Sequence, residues 1–170
     1  MSRVTDQQEL INKAVDALEK LIQTWAALCS KINASVQTYI DSTSVVATEN
    51  SIETLEGYIV RLESLYNQMD SQLQTLFKRL EKLPVGADTS VSQLYHRQWE
   101  LFEFIVNSYR DEWILRDDLV QKMKVSTSKQ FVSERQEVCN AQVNMLQIQN
   151  NLDILKTSRS FSGVANRHLR

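Results

Sequence analysis

Glycine and proline are nearly missing from this chain, which has three glycines and one proline in 170 residues. Tight turns, hairpins and phosphate-cradling loops draw on those two residues, so few can be built. Cysteine is equally sparse. Cys29 and Cys139 stand far apart in apolar stretches, which points to buried thiols in a reducing compartment rather than a disulfide framework. No apolar run approaches the roughly 18 residues of a membrane span. Asp6, Glu9, Asp16 and Glu19 are out of keeping with a signal peptide or a mitochondrial presequence. A soluble, intracellular protein is expected. An excess of one charge is lacking too: a net charge of −2 supplies no field toward nucleic acid or an acidic membrane.

What is present is helical periodicity. Thr5-x-x-Gln8 and Asp6-x-x-Glu9 have the capping-box form, so a first helix is predicted over about 6–40. Ile11, Ala14, Leu18, Leu21, Trp25, Leu28, Ile32 and Tyr39 recur along it at spacings of three and four. Val15, Ile22, Cys29 and Val36 widen that stripe, as for a helix with more than one neighbour. From Asp41 to Asn50 the period disappears and a loop is expected.

The second helix, predicted over about 51–83 and opened by Asn50-x-x-Glu53, carries the cleanest pattern. Ile52, Ile59, Tyr66, Leu73 and Leu80 fill one heptad position, and Leu55, Leu62, Met69, Leu76 and Leu83 fill the other. Pro84 and Gly86 end it. The flanking positions argue against a two-stranded zipper. Glu56, Glu63 and Asp70 on one flank would meet Tyr58, Leu65 and Gln72 on the other, without the opposite charges that set register in a parallel dimer. Packing against several different helices fits better.

A third helix, over about 90–124, concentrates aromatics: Tyr95, Trp99, Phe102, Phe104, Tyr109 and Trp113. A second apolar row, Leu94, Leu101, Ile105, Leu115 and Leu119, runs beside the aromatic one. Such a helix either fills a bundle core or anchors a partner, and both uses stand side by side. Trp99, Phe102, Tyr109, Arg110, Trp113 and Arg116 are the candidate partner-binding residues. Ser126-Thr-Ser128 marks a break. A fourth helix, over about 129–156, holds Phe131, Val138, Met145 and Leu152 at one heptad position, with Ala141, Ile148 and Leu155 at the other. Residues 158–170, with Arg159, Arg167, His168 and Arg170, read as a basic, disordered tail. The expected fold is all-α: an elongated antiparallel bundle of about four long helices in one domain over 1–157.

Chemistry finds little to stand on. Cys29, His96, Cys139 and His168 include no ligand pair at metal spacing, so no metal or cofactor is expected. Nucleophilic catalysis needs a base and an oxyanion site beside the nucleophile, and His96 has neither motif around it. Arg97, Arg110 and Arg116 are outweighed by Glu100, Glu103, Asp111, Glu112, Asp117 and Asp118, so no nucleic-acid stripe forms. A basic amphipathic face for membrane binding is not seen either. The reading is a non-enzymatic protein whose partners are other protein subunits, in a hetero-oligomer.

Three stretches, in order, resemble the cyclin-dependent kinase 2-interacting protein (CINP) family: Leu21-Ile-Gln-Thr-Trp25-Ala-Ala-Leu28, Leu76-Phe-Lys-Arg-Leu-Glu-Lys-Leu83 and Tyr109-Arg-Asp-Glu112-Trp-Ile-Leu115-Arg116. The likeness extends over residues 10–124 and departs beyond Lys124, where the family has a shorter, Trp-containing end. It implies a nuclear adaptor of cell-cycle, replication-checkpoint and ribosome-maturation complexes, with a cyclin-dependent kinase or an AAA-ATPase assembly as partner. The alternative is a structural coiled-coil subunit of a kinetochore, spindle or vesicle-tethering complex.

Overall fold

The computed structural model describes residues 2–82, 89–125, 128–142 and 144–165. Among these every regular element is helical: α1 (Ser2–Asp41), α2 (Val45–Leu80), α3 (Thr89–Lys124), α4 (Lys129–Asn140) and α5 (Met145–Ala165). The chain is an all-α helical bundle. None of these helices is long and apolar enough to cross a membrane.

The boundaries differ from the sequence reading in instructive places. The loop expected from Asp41 to Asn50 shrinks to three residues, because α2 already begins at Val45. Ser44 starts it: its Oγ accepts from the Ala47 N–H at 3.4 Å, and its carbonyl accepts from the Thr48 N–H. A capping side chain can open a helix ahead of any apolar period. Val45 and Val46 are accordingly exposed.

The single fourth helix over 129–156 is corrected to two. Ser128 caps α4 by accepting from the Phe131 N–H at 3.2 Å. The helix ends at Asn140, and Gln142 takes a φ of 44°, the left-handed conformation that commonly closes helices. The apolar heptad continues across this break. Backbone conformation interrupts it, and the pattern alone does not record that. The tail expected from 158 is corrected too, since α5 is helical through Ala165. Arg167, His168 and Arg170 lie outside the described residues, as do Leu83, Pro84 and Gly86.

The helices contribute to two compact units. The first takes α1 up to Lys20, α2 from Gln68, α3 up to Ser108, and α5. Its interior includes Leu18, Met69, Tyr95, Phe102, Ile105 and Leu155, each at most 1% exposed. Lys156 of α5 pairs with Glu19 of α1, and Phe77 of α2 packs on Trp99 of α3 with ring centroids 5.5 Å apart.

The second unit takes α1 from Leu21, α2 up to Asn67, α3 from Tyr109, and α4. Helix directions here follow from paired contacts. Glu56 bonds Lys124 while Tyr66 stacks on Trp113, so α2 and α3 run antiparallel. Ser42 accepts from Lys129 while Asn33 accepts from Gln136, so α1 and α4 do likewise. The core comprises Ile32, Val36, Leu55, Leu62 and Val132, all at most 2% exposed.

Along α2 the predicted seam is buried unevenly. Leu55, Leu62, Met69 and Leu76 are at most 4% exposed, while Ile52, Tyr66 and Leu80 are half-buried. Ile59 and Leu73 are buried, as is Leu65 on the flank. The buried face has rotated off a strict seam toward that flank, as it does when a helix meets several neighbours.

Candidate partner-binding surface on the third helix

The structure sorts the six candidate residues of α3 into three environments. Phe102, Tyr109 and Arg116 are interior, at 0%, 3% and 2% exposed. They are spent within the chain's own packing. Trp99 and Trp113 are half-buried, each laid against an aromatic of α2: Trp99 on Phe77, and Trp113 parallel to Tyr66 at 6.0 Å. Arg110 is exposed and pairs with its neighbour Asp111 at 3.4 Å.

Arg116 is the least expected of these. Its Nη1 donates to the Glu112 carboxylate one turn back and to the Glu112 carbonyl at 3.2 Å. Its Nη2 donates to the Cys139 carbonyl at 3.2 Å. That carbonyl belongs to the last turn of α4, where free carbonyls draw cations. The guanidinium therefore ties α3 to the end of α4. Its Nε has no partner among the described residues.

The surroundings are thiols and aromatic rings. Tyr109 meets Trp25 edge to face at 5.0 Å, one helical turn before Cys29. Burial pushes both thiols, Cys29 and Cys139, above their ordinary pKa, against the pull of Arg116. Burial likewise raises the Tyr109 phenol above its usual range. Burial opposes the charge of Arg116, but its neighbours outweigh that and hold the guanidinium above its ordinary value. Near neutrality the thiols are uncharged, so Glu112 is the operative counter-ion.

A thiol held protonated is a poor nucleophile and a poor metal ligand. Among the described residues no three His, Cys, Asp or Glu side chains are grouped to hold a metal ion. The i, i+4 spacing of Glu112 and Arg116 was the legible signal for the pair, but their burial was not.

On the outer side of α3, the helical period places Arg110, Trp113 and Ile114 on one face. Ile114 is 49% exposed and the adjoining Leu115 39% exposed. The second apolar row of the sequence thus divides: Leu101, Ile105 and Leu119 are buried, whereas Leu94 and Leu115 are not. The resulting surface sets exposed Ile114 and Leu115 beside a tryptophan and an arginine, two residue types enriched among interface anchors. No family model matches the chain, and neither the curated proteins nor the solved structures contain a significant match.

Proposed function

We propose that this protein is a non-enzymatic helical adaptor that docks a protein partner on the outer face of α3. The observation that carries the reading is the apolar surface left beside Trp113, with Ile114 49% exposed. Trp113 is already held in place by its stack on Tyr66, so a partner covering it would order little additional side chain. Arg110 supplies a polar rim. Phe102, Tyr109 and Arg116 have no direct part in docking in this reading; they fix the helix that presents the surface.

The resemblance to the CINP family supplies the setting: a nuclear hetero-oligomer concerned with cell-cycle and replication checkpoints or ribosome maturation. The test is purification of the intact protein from cells as wild type and as Ile114→Glu, with identification of what accompanies each. A kinase–cyclin or AAA-ATPase assembly retained by wild type and lost with Ile114→Glu supports the adaptor. Kinetochore, spindle or tethering subunits would favour the coiled-coil alternative. Identical company for both proteins would sink the α3 surface as the docking site.

A further inference from the structure

The face of α3 that carries Ile114 also has a charge pattern. Ile114 has carboxylates one turn away on either side, Asp111 before it and Asp117 and Asp118 after it. Two of these are matched within α3. Asp111 pairs with Arg110 at 3.4 Å, and Asp118 with Lys122 at 2.8 Å. Asp117 accepts from the Gln121 amide at 3.2 Å, a neutral donor that leaves its charge in place.

α2 brings a second unmatched carboxylate to the same level. The Glu56–Lys124 ion pair and the Tyr66–Trp113 stack set the register of the antiparallel α2 and α3. Glu63 stands seven residues after Glu56, and Asp117 seven residues before Lys124. Seven residues return a helix to nearly the same face. Glu63 and Asp117 therefore hold, two turns further along, the facing positions that Glu56 and Lys124 hold at the other end. There a cation meets an anion; here two anions meet. Glu63 is exposed and has no ion pair among the described residues. Beside this point lie the stacked rings of Tyr66 and Trp113 and the exposed Ile114.

We propose, resting on the docking role of the Ile114 face, that its occupant is a basic amphipathic helix. Its apolar side chains cover Ile114 and Trp113, and a lysine or arginine stands between Glu63 and Asp117. A groove between two antiparallel helices receives a third helix through an apolar stripe. A single exposed ion pair contributes little, but one arriving cation meets two carboxylates and offsets their mutual repulsion. An acidic segment would add a third negative charge at the same point.

The test is an NMR titration of the ¹⁵N-labelled full chain with three synthetic peptides of about 18 residues, long enough to form a helix when bound. The first has one leucine face and one lysine face. The second replaces every lysine by glutamate, and the third replaces every leucine by serine. The signals followed are the Trp113 indole N–H and the Ile114 backbone amide. The leucine–lysine peptide is expected to shift both saturably and to bind about tenfold more tightly than either control. Raising NaCl from about 0.1 M to about 1 M, which shortens the screening length from roughly 10 Å to 3 Å, should remove most of the preference for lysine over glutamate. Glu63→Lys combined with Asp117→Lys should transfer that preference to the leucine–glutamate peptide, whereas Ile114→Ser should weaken both leucine peptides. Equal binding of the two leucine peptides, or a lysine preference that survives the double reversal, overturns the basic partner and leaves the docking face standing. A serine–lysine peptide that binds as tightly as the leucine–lysine one overturns the amphipathic helix in favour of charge alone. No shift at Trp113 and Ile114 with any peptide overturns the proposal and the docking face together.

Discussion

The largest enclosed polar side chains of the two units, Arg116 in the second and Gln98 in the first, are satisfied to different degrees. In the second, Arg116 is almost fully enclosed, yet its two Nη atoms reach the Glu112 carboxylate, the Glu112 carbonyl and the Cys139 carbonyl. In the first, Gln98 is equally enclosed and its amide reaches nothing among the described residues. A paired buried charge is costly to disrupt, because removing one member strands the other. An unpaired buried amide is costly to keep. Substitutions of comparable size should therefore have opposite signs in the two units.

The largest effect is expected at Arg116. Arg116→Ala leaves Glu112 and the Cys139 carbonyl without their donors and opens a void, and should cost about 3–5 kcal/mol in urea unfolding. A loss under about 1 kcal/mol would mean that the guanidinium contributes no net structure.

Next comes pH. Both thiols are raised in the folded chain, so as pH climbs the unfolded state gives up its thiol protons first. The stabilisation is whole below the ordinary thiol pKa of about 8.5 and is lost as pH rises toward the folded values. Each group sets a limiting slope of about 1.4 kcal/mol per pH unit. The raised phenols of Tyr95 and Tyr109 act in the same direction at higher pH. Urea midpoints measured from pH 7 to pH 10 should fall, and a Cys29→Ala, Cys139→Ala double variant should flatten the early part of that fall.

In the first unit the sign reverses. Gln98→Leu should raise stability by about 1 kcal/mol, since it removes a buried amide that has no partner among the described residues; a loss of that size would show that the amide is satisfied in solution. The smallest effect is reserved for the surface. Ile114→Glu should leave the melting curve within about 0.5 kcal/mol of wild type while abolishing partner retention.

Much of this architecture was legible in the residues. Scarcity of glycine and proline, with apolar spacings of three and four, specified long helices. The flanks of Leu55, Leu62 and Met69 pointed to several neighbouring helices, in keeping with the burial of Leu65. The misreadings have physical causes. Ser44 opens α2 by side-chain capping, which an apolar period does not register, and Gln142 breaks a heptad that continues on either side of it. The candidate surface was half legible. Aromatic composition singled out α3 but could not separate Phe102, Tyr109 and Arg116, which face inward, from Arg110, Trp113 and Ile114 at the margin. That separation depends on where the neighbouring helices lie. Nothing in the pattern distinguished Gln98 from the solvated amides around it.

The docking surface is tested most directly by contact at Ile114 itself. A photo-crosslinking amino acid placed at Ile114 in the intact protein in cells, with the same probe at Val60 of α2 as an equally apolar exposed control (64% exposed), reads that contact. One discrete protein adduct from position 114 and none from position 60 is the predicted result. No adduct at 114, or the same adducts from both positions, would contradict a partner docked on α3.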